Sequence, residues 1–131
     1  MSRKADQLRR QHGQQSERLA CAYLRRLGYH ILATNVRVPV GELDLVAQEA
    51  HTLCLVEVRS HHSEAFGHPL ESVDHRKRHR LVRAAQWYLQ RCRVVPSAIR
   101  FDVVAITYPQ AGKPVVELVR GAFTADGFST F

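Results

Sequence analysis

Apolar residues recur at helical spacing in two parts of the chain. The first part predicts a helix over residues 14–27, which ends before Gly28 because glycine is common just past a helix C-terminus. The second predicts a helix over residues 72–91, with an apolar stripe from Leu81 to Leu89. Each stripe occupies one side of its helix, so we expect both helices to pack against a sheet.

Residues that favour strands are concentrated in the segments 29–36, 41–48, 52–59, 99–107 and 115–119. The second and third segments are separated by a short turn and predict an antiparallel hairpin. The fourth is nearly continuous in apolar residues, as in strands covered on both faces, and the helix before it predicts a right-handed parallel crossover. The fifth predicts an edge strand. Together these elements predict an α/β fold with a mixed central β-sheet flanked by helices.

The length of the chain favours one domain. Its 131 residues, 45% of them hydrophobic, suffice for one core and are too few for two ordinary domains. Residues 1–13 are polar, with four Arg and Lys and no apolar periodicity. They predict a basic flexible arm ahead of a single domain over residues 14–131.

Cysteine usage and hydropathy predict a cytoplasmic protein. Cys21, Cys54 and Cys92 lie far apart without a CxxC pair, which is typical of buried thiols in a reducing compartment. The chain has no run of about 18 apolar residues, the length that a membrane helix requires, and its first residues lack the apolar stretch of a secretory signal. We therefore expect neither a membrane span nor a disulfide or zinc framework.

The charge of the chain favours a polyanionic partner. Nineteen Lys and Arg against 12 Asp and Glu give a formal net charge of +7, which fits nucleic acid better than a cationic substrate. Many of these cations fall in the predicted second helix, outside its apolar stripe, although they could serve only to keep that helix soluble. The residues expected to contact nucleic-acid phosphates are Arg76, Lys77, Arg78, Arg80 and Arg83.

Two acidic residues interrupt the apolar pattern of the hairpin. If its turn centres on residues 50–51, Asp44 lies directly opposite Glu57, and Glu42 lies opposite Arg59 on the same face. Opposed carboxylates repel, so either one is protonated or a cation lies between them, and Mg²⁺ and Mn²⁺ prefer carboxylate oxygen. The alternatives are a longer turn, which would shift the pairing, and two acids that face solvent beside Arg side chains.

These acids carry a resemblance to a known superfamily. Asp44, the run Glu57-Val58-Arg59 on the next strand and Glu17 on the first helix resemble the PD-(D/E)xK restriction-endonuclease-like superfamily. More closely, the chain resembles the YraN family of small bacterial proteins, which are related in fold to archaeal Holliday junction resolvases. The matching positions are Gly13, Glu17, Ala20, Leu24, Gly28-Tyr29, Asn35, residues 41–46, residues 56–59, Phe66-Gly67, Pro69 and residues 100–104.

The resemblance implies a restriction-endonuclease-like α/β/α core and a metal-dependent endonuclease that acts on structured or branched DNA. It implies that Asp44, Glu57 and Glu17 hold one or two Mg²⁺ or Mn²⁺ ions, with Asp44 as the principal ligand. Arg59 stands where the superfamily has lysine. It could clamp a phosphate, but guanidinium is a poor base, which leaves efficient catalysis open. The analogy with resolvases also makes a homodimer plausible.

Several residues have more than one interpretation at this stage. Glu17 could be an exposed helix acid beside a neighbouring Arg, and Arg59 could pair with Glu42 across the hairpin. Lys77 could reach the site in place of the missing lysine. Asp102, in the predicted central strand, either extends the acidic cluster or pairs with Arg100, and we favour a structural role.

Three functional classes remain open after these observations. The first is a metal-dependent nuclease, and the second is a non-catalytic nucleic-acid-binding module with a nuclease-like fold. A basic scaffold that binds another protein is a weaker third. The carboxylates separate the first two classes, because phosphate binding needs only Arg and Lys, whereas hydrolysis also needs Asp44 and Glu57.

Overall fold

Five strands form a single mixed sheet in the computed structural model, which describes residues 3–62, 73–92 and 95–124. The elements in chain order are α1 (Arg3–Arg26), β1 (His30–Val38), β2 (Gly41–Glu49), β3 (Thr52–His61), α2 (His75–Cys92), β4 (Ala98–Thr107) and β5 (Val115–Phe123). The strand order is β1-β2-β3-β4-β5, with β3 and β4 parallel and the other neighbours antiparallel. The predicted α/β fold is confirmed, including the parallel strands on either side of α2 and β5 as an edge strand.

Helix α1 is longer than the sequence predicted. It begins at Arg3, so most of the segment predicted as a basic arm is helical. Its first turns are rich in Arg, Lys, Gln and Leu, which favour helix without needing an apolar stripe. The prediction relied on apolar periodicity and therefore placed the start too late. The helix ends as predicted: the Tyr29 amide donates to the Leu24 carbonyl at 3.0 Å, and Gly28 has a φ of 97°.

The two helices cover opposite faces of the sheet. Ala20 and Leu24 of α1 pack with Cys54 and other apolar residues of the central strands in one core. Leu81 and the small residues beside it in α2 pack with Leu53 and its neighbours in a second core. Residues 101–106 of β4 are all buried, as predicted for a strand covered on both faces. Neither helix, over the residues described, is long and apolar enough to cross a membrane.

The cysteine prediction is confirmed for two of three residues. Cys21 and Cys54 are buried and free, whereas Cys92, at the end of α2, is free but exposed. Burial raises the pKa of the Cys54 thiol to about 12, so this cysteine stays protonated. The buried thiols therefore serve as small core residues.

The alternation of side chains between the two faces is broken at one point of β2. Leu43 packs in the α2 core, but Leu45, two residues on, packs in the α1 core. Residues two apart share a face in a regular strand, so the break falls at Asp44. In the β1–β2 ladder Asn35 and Asp44 lie between the pairs Thr34–Leu45 and Val36–Leu43, and Asn35 has a φ of 51°. Both strands are therefore irregular at the position of the predicted metal ligand.

Candidate functional site

The hairpin has the predicted two-residue turn and register. The β2–β3 ladder runs from Glu49–Thr52 to Leu45–Val56, around Ala50 in a left-handed conformation with φ 52°. The next residues along the two strands are Asp44 and Glu57. Beyond the last pair of the ladder, the two strands are joined by the Asp44 side chain, whose Oδ2 accepts a hydrogen bond from the Val58 amide at 2.9 Å.

The second predicted pair does not belong to this ladder. The β2–β3 ladder ends at Leu45–Val56, before Glu42 and Arg59, and Glu42 pairs with Arg37 of β1 on the other side of β2. The physical reason is that the Val58 amide donates to the Asp44 side chain, so the backbone ladder does not continue past this point. Arg59 Nη1 lies 3.5 Å from Glu57 Oε1, two residues away on its own strand.

Glu57 is buried, and its two oxygens have different surroundings. Only 3% of its side-chain surface is exposed, so the alternative in which it faces solvent is wrong. Oε1 lies 3.4 Å from Lys77 Nζ and 3.5 Å from Arg59 Nη1. Oε2 is buried and has no hydrogen-bond partner. A buried carboxylate oxygen without a donor is costly, and a cation at this position would remove the cost.

The same arrangement makes the charged form of the Asp44 carboxyl unfavourable. Burial, followed by the negative charge of Glu57, raises the pKa of Asp44 to about 7, although the Val58 amide and Lys77 oppose the rise. The two carboxyl groups lie close enough to share a hydrogen bond when one is protonated. The predicted meeting of two acids is therefore present, and it favours either a proton or a metal ion between them.

The start of α2 sets the position of Lys77. Asp74 caps this helix, because its Oδ1 accepts the Lys77 amide at 2.9 Å. Lys77 lies four residues before the buried Leu81 and so on the same side of the helix, facing the sheet. The expected alternative in which Lys77 reaches the carboxylates from the second helix is thus confirmed by the contact with Glu57.

The remaining cations of α2 fall into two groups. Arg78 donates through Nε to the Val73 carbonyl at 3.0 Å, and its guanidinium lies 5.6 Å from the centre of the Phe123 ring, so it has a packing role. The other three predicted phosphate contacts remain exposed on the helix: Arg76, Arg80 and Arg83.

Glu17 approaches the site from the other face of the sheet. Its Oε2 accepts a hydrogen bond from Asn35 Nδ2 at 3.1 Å, and its Oε1 is buried without a partner among the described residues. Asn35 lies between the β1–β2 pairs Thr34–Leu45 and Val36–Leu43, next to the position of Asp44. Over the described ranges, no three or more His, Cys, Asp or Glu side chains come together as a metal-binding group. The structure thus brings Asp44 and Glu57 together, and it holds Glu17 on the neighbouring strand β1 through Asn35.

Asp102, on the neighbouring strand β4, belongs to a separate network centred on Arg100. It is fully buried and accepts from Arg100 Nε at 2.7 Å, Arg100 Nη2 at 2.9 Å and Tyr29 Oη at 2.9 Å. Arg100 also contacts Glu49 at 2.7 Å, and Glu49 pairs with Arg120 at the same distance. These partners lower the pKa of Glu49 to about 2. The favoured structural role of Asp102 is confirmed.

Two residues of the site were not assigned a role from the sequence. Asn35 holds Glu17 and occupies a left-handed position, for which asparagine is one of the enriched residue types. Asp74 precedes the cationic run of α2, and an Asp directly before a helix is a recognisable capping signal. Both signals are visible in the sequence, but neither indicates which other side chain the residue holds or positions.

The arrangement fits a divalent cation on chemical grounds. Two carboxylates supply oxygen ligands, and the buried atoms without partners are carboxylate oxygens of Glu57 and Glu17. Lys77 and Arg59 offset part of the negative charge at Glu57 Oε1 and leave Oε2 for another partner.

The fold and the site define a small α/β protein with a mixed five-stranded sheet between two helices, in which buried Glu57 and half-buried Asp44 meet a lysine from a helix. The model of the family described as uncharacterised protein family UPF0102 matches residues 16–106, and the chain belongs to this family. The expected YraN membership is thereby confirmed.

Individual relatives match most of the chain. UPF0102 proteins of Desulfosudis oleivorans and Anaeromyxobacter sp. are 40% and 45% identical over 118 and 119 residues. These alignments cover 90% and 91% of this chain and 94% and 89% of the relatives. A UPF0102 protein of Pseudomonas aeruginosa is 43% identical over 118 residues, covering 88% of this chain and 94% of that protein. Phe66, Gly67 and Pro69 of the expected pattern lie outside the described residues.

The contact of Lys77 with the acids gives a first prediction. Lys77→Met removes a positive charge that lowers the pKa of Asp44, so this pKa is expected to rise further above about 7. The pKa can be followed through the carboxyl ¹³C shift of Asp44 in an NMR pH titration. Arg80→Met, which removes an exposed charge from the same helix, is the control and is expected to leave the titration unchanged. Equal curves for Lys77→Met and the parent would contradict the contact.

Proposed function

We propose that this protein is a metal-dependent endonuclease that acts on structured or branched DNA. The observation that carries the proposal is the close pair of half-buried Asp44 and buried Glu57, in which Glu57 Oε2 has no hydrogen-bond partner among the described residues. Such a pair is unfavourable as it stands and becomes favourable once a hard cation is bound. The proposal also places the chain in the PD-(D/E)xK superfamily, in agreement with the order of its acids along the elements.

Each residue of the site has a distinct role in this proposal. Asp44, held by the Val58 amide, and Glu57, held by Lys77 and Arg59, are the two principal ligands for Mg²⁺ or Mn²⁺. Glu17 joins them from α1, directly or through water, and Asn35 fixes its position. When bound, the metal ion would activate water and neutralise charge on the attacked phosphate. Arg59 clamps that phosphate, since its guanidinium stays protonated and is partly exposed beside Glu57.

The exposed cations of α2 provide the contact with the DNA backbone. Arg76, Arg80 and Arg83 lie on the side of the helix that leads away from the sheet, and the chain carries a net charge of +7. Contacts of this kind supply affinity without reading base sequence, and they weaken with salt. Backbone recognition is therefore consistent with selection of DNA by shape. A cytoplasmic location and a homodimer acting on two strands complete the proposal.

The second candidate is a nucleic-acid-binding module without turnover. The presence of Arg59 in place of the superfamily lysine favours it, because arginine cannot give up a proton in the way that a buried lysine can. The contact of Lys77 with Glu57 favours the enzyme, because it supplies a lysine next to the acids.

Cleavage and binding assays with a Glu57→Gln variant distinguish the two candidates. The parent is expected to cut branched, flapped or looped DNA in Mg²⁺ or Mn²⁺, and Glu57→Gln is expected to lose at least 100-fold of the rate, about 2.7 kcal/mol. DNA binding measured in EDTA is expected to be equal for both, because the exposed Arg side chains are unchanged. A variant that cuts as fast as its parent would show contaminating nuclease or a wrong site. A parent that binds DNA and never cuts it would favour the module.

A further inference from the structure

A groove runs between α1 and the edge strand β1, on the face of the sheet opposite α2. Its volume is about 470 Å³. Four of its residues form a single stripe along the helix, at spacings of four, three and four, and the strand contributes one more. The residues that line this α1–β1 groove are Gln14, Glu17, Arg18, Cys21, Arg25 and Thr34.

The groove is cationic along its length. Arg18 and Arg25 are exposed, and neither is ion-paired with a carboxylate in the described parts of the chain. They are seven residues apart, about two helical turns or 10 Å along the axis. A polyanion lying in the groove would therefore meet two positive charges in succession.

One end of the groove adjoins the candidate catalytic acids. Glu17 lines the groove, and its Oε1 is buried without a partner. Its other oxygen is held by Asn35, which lies between the β1–β2 pairs Thr34–Leu45 and Val36–Leu43, next to the position of Asp44. A chain that follows the two arginines thus arrives at the irregular point of β1 and β2 where Asp44 is located.

We propose that the α1–β1 groove holds an unpaired strand of DNA and leads it to the carboxylate site. This inference rests on the proposed function. The groove is too small for a duplex, whose major groove alone is about 12 Å wide. The exposed Arg76, Arg80 and Arg83 lie on α2, which covers the other face of the sheet, so a duplex on α2 cannot also contact Arg18 and Arg25.

The substrate class that satisfies both surfaces is a duplex with a single-stranded flap. The duplex contacts α2, and the flap crosses the edge of the sheet near Asn35 and enters the groove. None of the described residues that line the groove is aromatic, so we expect its affinity to come from phosphate contacts and not from base stacking. We therefore expect the flap to be bound without preference for sequence.

Binding measured in EDTA tests this assignment without any cleavage. Fluorescence anisotropy compares the full-length parent with Arg18→Ala/Arg25→Ala on a blunt duplex and on the same duplex with a single-stranded flap. The double variant is expected to bind the flapped DNA about tenfold more weakly and the blunt duplex as before. The slope of log K against log salt for the flapped DNA is expected to fall by about 1.4 in magnitude, because each single-strand phosphate contributes about 0.7.

The matched control is Arg26→Ala/Arg37→Ala, which removes the same charge from exposed positions of α1 and β1 outside the groove lining. It is expected to bind both DNAs like the parent. Equal weakening of both DNAs by Arg18→Ala/Arg25→Ala, or an equal effect of the control, would overturn the inference. So would competition by polyglutamate as effective as that by an oligothymidylate, because the occupant would then be an acidic protein segment.

The assignment of the groove and the proposed function can each be wrong, and the two cases give different results. If the groove is wrong, the flap preference is independent of Arg18 and Arg25 while the parent still cuts DNA and Glu57→Gln does not. If the endonuclease is wrong, no cleavage occurs, and the dependence of flap binding on the two arginines in EDTA is unaffected.

Discussion

Asp102→Ala is expected to destabilise the protein by about 3–5 kcal/mol. The Asp102 side chain is fully buried and receives four hydrogen bonds, from two atoms of Arg100, from Tyr29 and from the Gly121 amide at 2.9 Å. Its removal leaves the Arg100 guanidinium and two further donors without their acceptor inside the fold. Urea denaturation at pH 7 measures the loss as a shift of the midpoint.

Two further variants test whether the loss of stability comes from the hydrogen bonds of Asp102 or only from the smaller side-chain volume. Tyr29→Phe removes one donor of Asp102 and is expected to cost only about 1 kcal/mol, because the other three remain. Arg37→Ala, at an exposed position of β1, is expected to change stability by less than about 0.5 kcal/mol, as ordinary surface substitutions do. A loss below about 1 kcal/mol for Asp102→Ala would mean that water replaces the missing carboxylate.

The parts of the fold that depend on local patterns were predictable from the sequence. The hairpin register followed from a two-residue turn, since Ala50 and His51 leave only one pairing for the strands on either side. The buried central strand β4 and the helix before it followed from a continuous apolar run and a helical stripe. These features are set by neighbours in sequence, so periodicity and turn length suffice to predict them.

The parts that depend on distant contacts were not predictable. The pairing of β2 with β3 ends at Leu45, although β2 pairs with β1 from Gly41 to Gln48, and no local pattern marks this end. The expected pair of Glu42 with Arg59 lies beyond it and is therefore not part of the ladder. The full set of donors to Asp102 includes Tyr29, which is 73 residues away in sequence. Only the folded chain brings such groups together.

The candidate site shows the same division. The meeting of Asp44 and Glu57 followed from the hairpin alone, but the choice of cation beside them did not. Arg59 was expected from its strand position, whereas Lys77 depends on where α2 begins and on the cap that Asp74 provides. A lysine twenty residues beyond Glu57 in sequence can be identified as a neighbour only when the packing of the helix is known.

Asp44→Asn is expected to have an effect opposite in sign to that of Asp102→Ala, although both residues are aspartates of the central sheet. The pKa of Asp44 is raised from 3.8 to about 7, so the folded protein binds this proton more tightly than the unfolded chain does. Stability contributed by the protonated carboxyl is therefore present below pH 3.8 and is lost as the pH rises toward 7. Above pH 7 the charged carboxylate costs about 2–4 kcal/mol. An amide avoids this cost and can donate to Glu57.

The expected result is thus a variant that equals its parent near pH 4 and exceeds it by about 2–4 kcal/mol at pH 8, as measured by urea denaturation across this range. Glu42→Gln, which removes an exposed carboxyl from the same strand, is expected to show no such pH dependence. At pH 8 and a Mn²⁺ concentration of 100 Kd, the parent gains about 2.7 kcal/mol and Asp44→Asn gains nothing, so the advantage of the variant falls by this amount. Equal stabilisation of both proteins by Mn²⁺ would remove Asp44 from the metal site. Parallel pH profiles would mean that its carboxylate is solvated. Asp44→Asn gains stability and loses metal binding for the same reason. The repulsion that makes the charged Asp44 unfavourable in the metal-free protein is what a divalent ion relieves.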